Sequence, residues 1–71
     1  MRKFKIGDIV ICNGYNRCFH KEDVVVITNL DNHYREYNVK VLKNTDKSEC
    51  RVGMNTWTIA YRDENYWNLV E

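Results

Sequence analysis

Val24-Val25-Val26-Ile27 is an uninterrupted run of β-branched residues, closed by Thr28-Asn29. β-Branched side chains are stiff at χ1 and suit a pleated strand better than a helix. Four in a row, with no polar alternation, read as a strand buried on both faces at the middle of a small sheet. Burial is worth on the order of 1.5–3 kcal/mol for each, before the entropy of ordering the chain is subtracted. Whatever else the chain builds, it builds around this strand.

At 71 residues the chain is one domain. A chain of this size buries only about 60% of its unfolded surface, so its core is thin and leaves little interior for a deep active site. The 44% hydrophobic content is that of a folded protein. Eleven basic residues against ten acidic ones leave a net charge of +1, which argues against a dedicated duplex-DNA binder. Three cysteines, Cys12, Cys18 and Cys50, match no disulfide framework. With no signal peptide and no long apolar run, the expectation is a reduced cytoplasmic compartment and no membrane contact.

Along the chain, Gly7-Asp8 marks a turn or bulge, followed by a strand over Ile9-Val10-Ile11-Cys12. Asn13-Gly14 is a hairpin signal, yet the next apolar run starts only at Val24, so residues 13–22 form a long excursion between two strands. Asn29-Leu30-Asp31-Asn32-His33 is dense in turn formers. In the segment from Tyr34 to Leu42, Tyr37, Val39 and Val41 alternate with Asn38 and Lys40, the pattern of a half-buried antiparallel strand. Residues 43–49 read as a solvated loop. A fourth strand runs roughly from Asn55 to Arg62, with Trp57, Ile59 and Tyr61 on one face. After the Arg62–Asn65 turn, Tyr66-Trp67-Asn68-Leu69-Val70 ends the chain, with Trp67 and Leu69 on one face. No apolar pattern of helical period is sustained, which leaves room only for a short helix or 3₁₀ turn in the loops. Short strands with turn signals about every 8–12 residues make an all-β fold, a small five-stranded SH3-like barrel whose first and last strands pair.

The two ends also carry a resemblance. Phe4-Lys5-Ile6-Gly7-Asp8-Ile9-Val10 is similar to the "KVGD-x-V" opening of small SH3-like barrels, and Tyr66-Trp67-Asn68-Leu69-Val70-Glu71 resembles the "NFELVE"-type ending of short phage and prophage proteins with that fold. Ribosomal and transcription-factor modules of the KOW type share the opening. The resemblance implies an accessory protein without catalysis, acting in the host cytoplasm, one that binds and modulates (typically inhibits) a host protein. In the family pattern polar residues alternate outward after the Gly-Asp; here those positions hold Ile9 and Ile11. These two are either covered by a loop or part of an interface through which the chain self-associates, so monomer and homodimer both stay open.

Candidate chemistry is sparse. Cys12, Cys18, His20 and Cys50 are adequate zinc ligands, but C-x₅-C-x-H followed by a distant lone cysteine lacks the two close pairs of a structural site. Cys18 and His20 lie two apart, with no oxyanion element beside them. Glu22-Asp23 and Asp63-Glu64 sit at turn rims, where solvation and capping are their ordinary roles. The expectation is no metal, no cofactor and no catalysis. The 13–22 excursion holds Tyr15, Arg17, Phe19 and His20, residue types that dominate interface hot spots. By SH3-like geometry it would line a partner groove beside Tyr34, with Tyr61 and Tyr66 contributing rings near the last turn. For Phe19 a second role is equally open, as a lid over the barrel end. An alternative use of the same loop, with the Arg2, Lys3 and Lys5 terminus, is to stack bases and neutralise phosphates. Lys40, Lys43, Lys47 and Arg51, interrupted by Asp46 and Glu49, read as a solvated face.

Overall fold

The β-branched run does lie in the central strand. A computed structural model of the chain describes residues 2–14, 19–45 and 50–70. It contains β1 (Ile9–Cys12), β2 (Val24–Asp31), β3 (Glu36–Lys43), β4 (Thr58–Ala60), a 3₁₀ segment (Tyr61–Tyr66) and β5 (Trp67–Leu69). The strands form one sheet in the order β4-β3-β2-β1-β5, every pairing antiparallel. This is the all-β arrangement of a small SH3-like barrel. First and last strands pair, Val10 with Leu69 and Cys12 with Trp67. The sheet is left open between β4 and β5, and the 3₁₀ segment joins the two across that gap.

Alternation decides the core. Val10 and Cys12 of β1, Val25 and Ile27 of β2, Tyr37, Val39 and Val41 of β3, Ile59 of β4 and Trp67 of β5 are buried, joined by Phe4, Phe19, Cys50 and Tyr61. The rings pack edge to face: Phe19 lies 5.0 Å from Trp67, and Tyr37 lies 4.9 Å from Tyr61, both near-perpendicular arrangements that aromatic quadrupoles favour. Gly7 has φ = +93°, which explains the Gly-Asp opening: the turn needs a residue without Cβ. Its N–H donates to the Ile27 carbonyl, and Asp8 accepts back from the Ile27 N–H, both at 2.8 Å.

Three expectations need correction. The β2 run is fully buried on one face only, since Val24 and Val26 are half-buried. A single curled sheet has one interior, and the outer valines are screened only by neighbours: Val26 pairs with Ile9 and Val24 with Ile11. The fourth strand is shorter than 55–62, because the chain turns into the 3₁₀ segment at Tyr61. Residues before β4 still run hydrogen-bonded along β3, Val41 N–H donating to the Met54 carbonyl and Val39 N–H to that of Trp57. Leu69 has the parity of Trp67 but stays 55% exposed, because β5 is an edge strand and no further strand covers it.

At the start of β2, Asp23 is fully buried. Its Oδ2 accepts the His20 N–H at 3.0 Å and its Oδ1 the Thr45 N–H at 2.8 Å. The Cys50 thiol points to Oδ2 at 3.6 Å. One carboxylate therefore ties together three loop segments that share no strand.

Candidate functional site

At the other end of β2 the chain turns tightly into β3. Asp31 Oδ1 accepts the N–H groups of His33 (3.0 Å) and Tyr34 (3.1 Å), an Asx-type turn that needs a short acceptor side chain at its start. The turn leaves Tyr34 71% exposed, braced edge-on by His33 at 4.7 Å. Arg35 closes it at φ = +56°, a left-handed conformation that favours glycine or asparagine over arginine. Its carbonyl accepts the Tyr61 N–H at 2.9 Å, so the turn is bonded directly to the start of the 3₁₀ segment.

Between this turn and the 3₁₀ segment lies a cleft of about 580 Å³. Three arginines (Arg2, Arg35 and Arg62), two glutamates (Glu36 and Glu64) and two tyrosines (Tyr34 and Tyr61) are among the residues that line it. Pairing of Glu36 with Ala60 across β3 and β4 sets its width. The Arg2 Cζ sits 4.2 Å over the Tyr61 ring, a cation–π contact that holds the N-terminal arginine at the cleft. Tyr61 in turn donates its hydroxyl to Asn32 Oδ1 at 2.9 Å.

Glu64 is committed to structure. The Tyr37 hydroxyl donates to its Oε2, and the Lys3 N–H reaches the same oxygen at 3.4 Å. Tyr37 also accepts the Phe4 N–H at 3.3 Å, and Lys3 Nζ donates to the Trp67 carbonyl at 3.1 Å. Burial, then the hydrogen bond to Glu64, pushes the Tyr37 phenol up to about 12. This network sews residues 2–4 to the 3₁₀ segment. The arginines have no such commitment: among the described residues the ion pair present is Lys5 with Asp8, at 3.1 Å, and none involves Arg2, Arg35 or Arg62.

The residues singled out by sequence are therefore dispersed. Tyr34 and Tyr61 meet at the cleft. Tyr61 is only 6% exposed and its face is already taken by Arg2, so it forms floor rather than a free ring. Tyr66 is exposed at the end of the 3₁₀ segment and outside the cleft lining. Phe19 is 1% exposed, packed on Trp57 and Trp67; of its two roles it takes the core one and offers no surface to a partner. His20 is half-buried beside Asp23, at the opposite end of β2 from Tyr34, so it does not share a site with that ring. Tyr15 and Arg17 lie outside the described residues. Ile9 is 39% exposed and Ile11 half-buried; with Val24 and Val26 they make an aliphatic strip on the outer face, which Val70 joins through its N–H to the Ile9 carbonyl.

The sulfur groups do not assemble into a metal centre among the described residues. The Cys12 thiol donates to the Gly14 carbonyl at 2.7 Å, and burial pushes it up from the ordinary thiol range, away from reactivity. Cys18 lies outside the described residues.

Sequence reasoning passes over Arg35 and Arg62. They stand 27 positions apart, Arg35 in the segment read as the third strand and Arg62 where the fourth strand was expected to end and turn, and the β3–β4 pairing brings them to one cleft. The available signal was an arginine beside an exposed tyrosine in a turn, a combination common at interfaces. Compared with family models, with curated proteins and with solved structures, the chain has no match.

Proposed function

We propose that this chain is a non-catalytic binding module that engages a host protein through the cleft between the β2–β3 turn and the 3₁₀ segment, in the accessory, typically inhibitory role its terminal motifs imply. The observation that carries the reading is the set of three guanidiniums without a carboxylate partner among the described residues, beside the exposed Tyr34 ring. Arginine and tyrosine combine large contact area with directed hydrogen bonds, the properties of interface anchors. The non-catalytic reading draws on Glu64, whose Oε2 is held by the Tyr37 hydroxyl and the Lys3 N–H. A second reading, a single-stranded nucleic acid, uses the same arginines with Tyr34 as a stacking platform.

The test is capture from host lysate by the tagged protein, with and without nuclease, beside the Arg35→Gly/Arg62→Ala double variant. A host protein retained through nuclease and lost in the variant is the expected result. Capture that survives the variant refutes the cleft as the site. Material lost wholly on nuclease treatment shifts the reading to nucleic acid.

A further inference from the structure

The charge arrangement of the cleft specifies a ligand class. We propose that the cleft recognises an acidic peptide segment, carboxylates of a partner loop or tail being received by Arg35 and Arg62 with Arg2 at the cleft floor. The inference rests on the binding-module reading above and deepens it.

Three features support it. The guanidinium is a planar fork of donors that matches a carboxylate bidentately, and three arginines line this cleft against two glutamates. One of those carboxylates, Glu64, has its Oε2 held by the Tyr37 hydroxyl and the Lys3 N–H. That leaves Arg35 and Arg62, both exposed and without an ion-pair partner among the described residues, while Arg2 is anchored on Tyr61. A peptide is favoured over a phosphate chain by Glu36 and Glu64 themselves. A continuous row of phosphates would pass close to both carboxylates, whereas isolated acidic side chains can be spaced to avoid them. The volume of about 580 Å³ suits a ligand of a few residues.

Arg35 is informative for a second reason. The turn holds it in a conformation that glycine occupies more easily, so the fold gains nothing locally from an arginine there. Replacement by glycine removes the guanidinium without disturbing the backbone, which makes Arg35→Gly a clean probe.

The experiment is fluorescence anisotropy on the intact chain with three labelled probes: a decapeptide of alternating Glu and Gly, its Gln/Gly counterpart, and a ten-nucleotide oligothymidylate. The Glu peptide is expected to bind about tenfold or more tightly than the Gln peptide, since each lost charge-assisted contact is worth about that factor. Arg35→Gly and Arg62→Ala should each weaken Glu-peptide binding by about tenfold with melting temperature not lowered. Equal affinity for the Glu and Gln peptides overturns the acidic specificity, as does no Glu-peptide binding at millimolar protein. Tighter binding of oligothymidylate overturns it in favour of nucleic acid. Lysate capture that depends on Arg35 and Arg62 while the Glu peptide fails would leave the binding-module reading standing and remove this inference alone.

Discussion

Replacing Asp23 with alanine removes a buried side chain that joins three loop segments at the start of β2. Among the described residues, the carboxylate accepts the backbone N–H groups of His20 at 3.0 Å and Thr45 at 2.8 Å, with the Cys50 thiol alongside. In the variant those donors lose a charged acceptor in a fully buried setting, at about 1–3 kcal/mol each. The loss is therefore about 2–6 kcal/mol, a large part of the roughly 4–10 kcal/mol expected for a chain of this length. Asp23→Asn keeps one acceptor oxygen and the shape, so about half that loss is expected. Urea denaturation followed by tryptophan fluorescence reads this out, since Trp67 is fully buried. With a slope near 1 kcal/mol/M for so small a domain, the midpoint of the alanine variant should fall by about 2–6 M. Should that variant arrive unfolded, the asparagine variant supplies the measurement. Faster amide exchange at His20 and Thr45 would locate the loss in those loops. A loss below about 0.5 kcal/mol for alanine, with unchanged slope, would refute the argument that this carboxylate holds the loops.

Stability should also decline at both pH extremes. Tyr37, raised to about 12 in the fold from an ordinary 10, contributes stability that is fully present below pH 10 and lost as pH rises toward 12; Tyr37→Phe should flatten that limb of a urea-midpoint series. Asp8, lowered chiefly by the Lys5 N–H that donates to it, contributes stability above the ordinary carboxylate range that is lost as pH falls through its folded value; Asp8→Asn should remove this dependence. Arg35→Gly should leave stability unchanged or raise it by up to about 1 kcal/mol, because relief of the left-handed conformation is offset by the greater freedom of unfolded glycine; a clear loss by thermal melting would show that the arginine side chain supports the fold.

Much of the architecture is legible in the residue pattern. The β-branched run locates the central strand, alternation at Val10/Cys12 and Tyr37/Val39/Val41 identifies the inward positions, and Gly7-Asp8 marks a turn that needs positive φ. These are local signals: a period of two needs no knowledge of distant chain. What pattern cannot tell is whether an inward position is covered. Leu69 and Trp67 share a parity, but only the latter has a layer of side chains over it.

The site is another matter. Phe19 and Arg35 both sit in connections, where sequence offers residue type but no coordinates. Phe19 goes to the core because Trp57 and Trp67, distant in sequence, present their edges to it. Asp23, ordinary at a turn rim by sequence, becomes the buried junction because segments near Thr45 and Cys50 return to it. Arg2, Arg35 and Arg62 come together because β3 pairs with β4 and the N-terminal segment is bonded to the 3₁₀ segment. Strand identity is written in neighbouring residues, since pleating acts between positions i and i+2. The cleft is decided by long-range pairing, which sets which loops meet and so which charges face one another.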